Sequence, residues 1–461
     1  MFVPLIEKKV GIEVYATTTP GIGGVLRHFP EDFVVEEVLL NGLKASVKLK
    51  DKIIPSPEQQ SRSKFERYLL CVLIKRDKDT FLAVKALARS LRVRDEDINI
   101  AGIKDTKALT AQFITIRNVS QEDVKKITIE GVELHPIGYF HTKISSRYLL
   151  GNQFRVVIRS VRKPKYIVKE RIERTLEELK KHGGIPNFFG HQRFGTIRPI
   201  THLVGKAIIK GNFEEAVMVF LAKATPNESP ELQIVRKKLW ETRNFNEALR
   251  EFPKKLYYER VMLNHLIKRP EDFIGALKRL PRKLLKLFPQ AYQAYLFNKF
   301  LSRRIAIGVP LNAAEIGDYV VSVDPLGLPS FKFFKVTSYE SRREVNDAIS
   351  AGKLRIAIPI VGFGQQLSGG LQGEIEREIL EEEGVDINDF KVKSMPELRL
   401  KGGLRTIVTP VNEFSTVGIY RDEANPGKWK VDVNFMLHRG SYATILLREV
   451  MKARNPVKAG F

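Results

Sequence analysis

Strand-type patterns stand at both ends of this 461-residue chain, with a long helix-rich middle between them, so one sheet can include both ends only if the chain returns on itself. The early run Glu31 to Leu40 is β-branched and apolar, with Phe29-Pro30 as punctuation before it, and reads as a strand. A second strand is expected from about Arg67 to Lys75. Asp79-Thr80 can then cap a helix whose apolar positions Phe81, Val84, Leu87, Ala88 and Leu91 fall at helical spacing. Further strands are expected over Gln112 to Arg117, Glu133 to Phe140 and Gln153 to Val161. An amphipathic helix from Lys163 to His182 follows and ends at Gly183-Gly184.

After Ile185-Pro186 the texture changes. Helical patterns become longer and more cationic, as in Phe213 to Ala222, Pro230 to Leu249 and Leu284 to Ile305. This middle reads as a separate domain of mixed character, because Asp318 to Val323 and Leu354 to Val361 look like strands of its own. Near Gly402-Gly403 the strand signal returns with Leu404 to Pro410. Lys428 to Leu437 then alternates, and Gly440-Ser441 leads into a helix carrying Tyr442, Ile445, Leu446 and Val450 on one face. A terminal strand and helix of this kind would complete a sheet begun in the first half.

Charge narrows the class of partner. With 77 Lys+Arg against 53 Asp+Glu the formal net charge is +24, which predicts attraction to a polyanion, nucleic acid above all. The cations are dispersed rather than gathered in a tail, so an extended RNA-binding surface on a folded body is expected. A charged fraction of 28% with one cysteine also fits a heat-adapted protein. Cys71 lies in the apolar run Tyr68 to Ile74 and reads as a small buried hydrophobe. There is no CxxC pair, no His-Glu-x-x-His and no acidic calcium loop. No metal is therefore expected, His182 and His191 being the best candidate ligands. Charged residues soon interrupt the short apolar start, so neither a secretory signal nor a membrane association is expected, and the chain reads as cytoplasmic.

The chemistry is most legible in Ala101-Gly-Ile-Lys-Asp-Thr-Lys-Ala-Leu-Thr-Ala-Gln112, which sets one carboxylate, Asp105, between two lysines. Nearby cations favour an ionised carboxylate that can act as nucleophile or base; the same Lys-Asp-Thr could instead be a turn whose aspartate bonds its own backbone. Three other segments mix aromatic rings with cations or amides: Gly24 to Phe33, Leu150 to Arg155 and Pro186 to Gly195. Such mixtures can stack an unstacked base and grip its phosphates, although large aromatics such as Phe33, Phe154 and Phe189 are more often buried. Gly362 to Gly370 lacks the Gly-Lys-Ser/Thr ending of a phosphate loop and reads as a turn. No dinucleotide fingerprint is legible, so no nucleotide cofactor is expected.

Taken together and in this order, these segments resemble the TruD family of tRNA pseudouridine synthases. The family pattern AG-x-KD-x-x-A-x-T-x-Q falls on Ala101 to Gln112, Pro-Glu-Asp-Phe on Pro30 to Phe33, and Gly-Asn-x-Phe on Gly151 to Phe154. Its Asn-aromatic-Phe-Gly-x-Gln-Arg-Phe-Gly falls on Asn187 to Gly195, and Arg439-Gly-Ser-Tyr-Ala-Thr444 matches its ending. The resemblance implies an α+β fold: a mixed, largely antiparallel sheet with flanking helices, built from residues 1–185 and 400–461 and interrupted by a mixed α/β insertion over 186–399. It implies cofactor-free isomerisation of uridine in tRNA, at uridine 13, with Asp105 as the catalytic residue. Arg27 stands where the family often has lysine; it would orient Asp105, Phe154 would stack on the target base, and Asn152 would hydrogen-bond nearby. Phe33, Lys104, Thr110, Gln112, Asn187 and Arg193 complete the substrate-binding set that the matched motifs imply. In the insertion, Arg193, Lys206, Lys210, Arg303 and Arg304 are expected to help hold the RNA.

Overall fold

The computed structural model describes residues 2–48, 68–140 and 142–461. Six strands precede the middle region: β1 (Phe33–Leu39), β2 (Tyr68–Arg76), β3 (Ile98–Ile100), β4 (Leu109–Arg117), β5 (Val132–Phe140) and β6 (Leu149–Val161). The expected second strand begins at Tyr68; Arg67 lies outside the described residues. The middle contributes β7 (Ile185–Pro186), β8 (Tyr319–Val323), β9 (Pro329–Lys335), β10 (Leu354–Ile360), β11 (Gly403–Thr406) and β12 (Val408–Thr409), and the chain closes with β13 (Asn412–Arg421) and β14 (Trp429–His438).

The main sheet runs β13-β14-β6-β1-β4-β2-β5, with β3 also paired to β4. Only β1 and β4 are parallel; the other pairings are antiparallel. The two ends of the chain meet at β6 and β14, whose register runs from Trp429↔Val161 to His438↔Gly151. β14 was legible because its residues alternate. β13 carries two register shifts and exposes much of its length, which breaks the period-two signal that would have announced it.

One face of this sheet is covered in two places. Over β2 and β4, the helix Thr80–Leu91, capped by the Asp79 side chain, buries Ala83, Val84, Leu87 and Ala88 against Leu69, Cys71, Leu73, Ile114 and Ile116. Phe81, expected on that apolar stripe, is instead exposed in the first turn. Over β6 and β14, the helices Lys165–Lys181 and Ala443–Met451 pack on Val156, Ile158, Val431 and Val433. Between the two covered regions the register places Phe154, Val35, Thr110 and Lys75 side by side across four strands. Because side chains alternate along a strand, Glu37, Gln112 and Asn152 stand on that same face two residues further on. The middle of the face is thus polar where its flanks are apolar.

The region between β7 and β12 has its own core. Seven helices from Thr201–Ile209 to Arg282–Ala306 are followed by a four-stranded sheet, β11-β10-β8-β9. Gly205 lets the first of these helices approach the last, since a Cβ there would lie 2.0 Å from the Phe288 carbonyl oxygen. The single helix expected over Pro230 to Leu249 is two, Pro230–Thr242 and Phe245–Glu251, because Arg243 turns left-handed (φ 54°) and the Asn244 side chain caps the second at Glu247 N, 3.1 Å. The strand expected over Leu404 to Pro410 is likewise split into β11 and β12, which belong to different sheets. A helix, Gly370–Glu382, does follow the glycine-rich turn, and it contains no lysine.

Hydrogen bonds link this core to the chain's N-terminal segment: Asn298 Nδ2 donates to Val10 O (2.9 Å), Ser302 Oγ to Gly11 O (2.7 Å), and Glu13 N to Ser302 Oγ (3.0 Å). On its other side the N-terminal segment meets the last helix, where Arg448 pairs with Glu7 (2.8 Å) and Glu449 (2.9 Å), all three buried. Among the described residues no helix is long and apolar enough to cross a membrane.

Arg304, expected to face RNA, is a fully buried core residue. Both ends of its guanidinium fork bond Asp318 at 2.8 Å, and Pro310 O and Gln372 Oε1 take its remaining donors. Its position on the inward side of a 25-residue helix overrode its charge. Beside it lies Glu376, whose carboxyl burial pushes up to about 7, against the opposing pull of donors from Ser368 and Gln372. A carboxyl raised in the folded state contributes stability below its ordinary value of 4.5 and loses that contribution as pH rises through about 7. Glu376→Gln should therefore gain melting temperature relative to the parent protein as pH is raised across this window. Parallel melting curves at every pH would contradict the assignment.

Candidate active site

Asp105 sits on the loop between β3 and β4, and two cations from elsewhere in the chain fix it there. The Arg27 guanidinium donates to its carboxylate, Nη2 to Oδ1, at 2.9 Å, while Nη1 donates to Gly460 O at 2.5 Å. The planar fork thus spans two acceptors, which a single ammonium point charge could not reproduce in the same geometry. Arg27 itself adopts a left-handed backbone (φ 56°), uncommon for a residue with a side chain. Its neighbour is pinned by Leu26 N→Ala459 O (2.8 Å), and its guanidinium lies 4.1 Å from the centre of the Phe33 ring. The arginine is nearly buried; the Asp105 carboxylate keeps 28% of its exposure, so the pair has one protected and one open side.

The second cation is Lys75, wholly buried in β2. Its Nζ donates to the backbone oxygens of Asp105 (2.5 Å) and Lys78 (2.8 Å), which ties the loop to the sheet. Burial pushes its ammonium down to about 8, against the pull of Asp105 and Asp79. Thr80 adds a further tie, its hydroxyl lying 3.2 Å from Lys104 N.

The lysine preceding Asp105 in sequence is not its partner in space. Lys104 turns under the loop and pairs with Glu37 of β1 at 2.6 Å, both side chains almost fully buried. Burial raises the Glu37 carboxyl, and the Lys104 ammonium and the Phe113 amide, 2.8 Å from Oε2, oppose it. Gln112 Nε2 donates to Gly102 O at 3.1 Å, holding the start of the loop. The buried Thr110 hydroxyl, Gln112 Oε1 and Asn152 Oδ1 have no hydrogen-bond partner within the protein. Three polar atoms left so on one sheet face are costly to desolvate unless something else supplies their bonds.

Phe33 and Phe154 stand next to this row. Phe154 is 5% exposed, stacked on Phe435 (5.2 Å between centres) and edge-on to Phe33 (6.2 Å). Its face is therefore occupied by another ring of the protein. Arg27, Phe33, Lys104, Asp105, Thr110, Gln112, Asn152 and Phe154 thus gather on one side of the main sheet. Asn187 and Arg193 do not join them. Asn187 lies at the crossing between the main sheet and the middle region, its amide donating to Thr406 O (3.0 Å) and accepting from Arg405 (2.6 Å). Arg193 leans on Phe189 and reaches Gln290 Oε1 at 3.5 Å.

Sequence reasoning missed Lys75, Glu37 and Arg405. A signal was present for the first two: each is a charged residue on an inward phase of an otherwise apolar strand, where an unpaired charge is not tolerated.

Comparison with known proteins bears on the family. The family description tRNA pseudouridine synthase D (TruD) matches residues 9–450. A protein of Methanosarcina mazei described as "Probable tRNA pseudouridine synthase D" is 40% identical over 459 residues, covering 99% of this chain and all of the relative. One of Thermococcus sibiricus with the same description is 36% identical, covering 95% of this chain and 97% of its own. The crystal structure of the TruD-family protein from Methanosarcina mazei superimposes with a TM-score of 0.81 at 39% identity, covering 99% of this chain and the whole of that one. With its fold and nearly its full length matched, the chain belongs to the tRNA pseudouridine synthase D family.

Proposed function

We propose that this tRNA pseudouridine synthase acts at uridine 13, with Asp105 as the catalytic carboxylate and no cofactor. The observation that carries the reading is the Arg27–Asp105 pair, a carboxylate with one open side held at the edge of a sheet face that has unpartnered polar atoms. The choice of uridine 13 rests on the family resemblance.

The reaction is an isomerisation. The bond from ribose C1′ to uracil N1 breaks, the base turns, and C1′ joins C5; C5 gives up its proton and N1 gains one, so nothing is consumed. Attack on the sugar, addition to the base and removal of a sugar proton all require an ionised carboxylate at the target nucleoside. Arg27 orients that carboxylate, and Lys75 holds the loop backbone on which it rides. The target must leave its stack before the carboxylate can reach it. Asn152, Thr110 and Gln112 supply polar atoms to the edge of the extruded base, while Phe33 and Phe154, both buried, back this row and present no free ring face, so the stacking expected of Phe154 is not part of the reading. Residues 1–185 and 400–461 form the catalytic domain in this reading, and 186–399 the insertion that helps to hold the tRNA.

Three tests follow from the site. Asp105→Asn is nearly isosteric and neutral; tritium release from tRNA carrying 5-tritiated uridine should fall by about 10²–10⁴-fold or more, with tRNA binding retained. Substantial turnover by the purified variant would sink the assignment. Arg27→Lys keeps the charge and loses the fork, so it should retain part of the single-turnover rate, whereas Arg27→Met should lose nearly all of it. Equal rates for the two would mean that charge at this position is irrelevant. Finally, the net charge of +24 predicts that log affinity for tRNA falls linearly with log salt, with a slope of about −0.7 to −0.9 per phosphate neutralised. Affinity insensitive to salt would rule out a phosphate-dominated interface.

A further inference from the structure

A cavity of about 520 Å³ lies between the main sheet and the four-stranded sheet of the insertion, away from Asp105. Its size falls in the range of small-ligand sites. One wall comes from the end of β14 and the turn after it, with His438 and Arg439; the facing wall comes from β9 and β10, with Phe331, Phe333 and Arg355.

Three features of its lining are unexplained by folding. Phe331 is wholly exposed and Phe333 more than half exposed. They alternate on β9, the edge strand of its sheet, so both rings stand on one face of the strand. Aromatic rings presented to water on an edge strand are an aggregation liability unless they serve a partner. His438, in contrast, is 94% buried by its residue exposure of 6%, yet its Nδ1 has no partner in the protein. The site is also built with close tolerances. A Cβ at Gly327 would come within 2.8 Å of the His438 ring, and Gly327 O fixes Arg355 Nη1 at 2.9 Å. Arg439 is fastened to three backbone oxygens between Ser146 and Leu149.

From this combination we infer that the cavity is a second base-binding subsite, taking an unstacked nucleobase of the bound tRNA other than the target uridine. The inference rests on the proposed action on tRNA. Phe331 and Phe333 supply stacking faces, His438 a ring nitrogen for the base edge, and Arg355 and Arg439 positive charge for the adjoining phosphates. The sheet sets its distance from the chemistry. His438 pairs with Gly151 and Phe33 pairs with Val156 on β6, an offset of five residues or roughly 16 Å of strand at about 3.3 Å per residue, and because the offset is odd the cavity lies against the sheet face opposite that of the aspartate site. RNA that occupies both sites must therefore pass over the end of the β6–β14 ladder, where His438 closes β14. A base captured there would hold the RNA in register while the target is extruded, so the subsite serves affinity and choice of substrate rather than the chemical step.

The test is a scan of tRNA substrates, each lacking one base at successive positions on either side of the target, with the parent protein and the double variant Phe331→Ala/Phe333→Ala. Both side chains are exposed, so their truncation leaves the core intact. With the parent protein, one position should raise the half-saturating enzyme concentration by about tenfold or more, the scale of one stacked base. The variant should show a similar rise on intact tRNA, no further rise when that base is removed, and an unchanged single-turnover rate at saturation. Effects that simply multiply at every position, or a variant that loses the saturated rate with affinity intact, would overturn the subsite. If the parent protein makes no pseudouridine, the proposed function fails; the same scan read by equilibrium binding still decides the subsite.

Discussion

The pairing of β6 with β14 is the constraint on which the molecule depends. It joins residues 149–161 to residues 429–438, and without it the main sheet ends at β6. The same ladder places Phe435 against Phe154 and closes the apolar layer under the helices Lys165–Lys181 and Ala443–Met451. The entropic cost of closing a loop grows only slowly with its length. A folded insertion lowers that cost further by holding its two ends together before the sheet closes.

The active face shows how a sheet can carry polar chemistry in its interior. Helices cover both flanks and leave a gap, and within it the charges are paired: Lys104 of the loop with Glu37 of β1, and Asp105 of the loop with Arg27. A buried ion pair is weak evidence of stability, because desolvation offsets much of the attraction. Here the pairs settle position. Lys104 is anchored downward, so the next residue in the chain can present its carboxylate upward to solvent, braced from the side by Arg27.

Much of this was legible in the sequence, for identifiable reasons. β1 and β4 announce themselves through β-branched and apolar content, β14 because its residues alternate, and the helix Thr80–Leu91 because Asp79 caps it where the apolar spacing starts. What could not be read was which charges meet. Asp105 has lysines on both sides in the chain, yet its ion-pair partner is Arg27, 78 positions away. Lys75 looked like the end of a hydrophobic run and is the loop's anchor. Arg304 looked like a surface cation because its helix is strongly basic, but charge composition does not reveal which way one residue faces. Short strands such as β7 and β12 carry too few residues for a period to register.

Those two strands have a consequence of their own. Ile185–Pro186 and Val408–Thr409 are the chain's outward and return paths between the two bodies, and they are paired antiparallel. A Cβ on Gly184 would lie 2.1 Å from Thr409 O, and Arg405 bonds Asn187 and Gly440 across the junction. Paired strands keep their Cα atoms about 5 Å apart, the spacing found at the base of a β-hairpin. Geometrically, more than two hundred residues occupy the place of a hairpin turn. The closure of the host sheet at this point therefore does not depend on how many residues lie between the two strands.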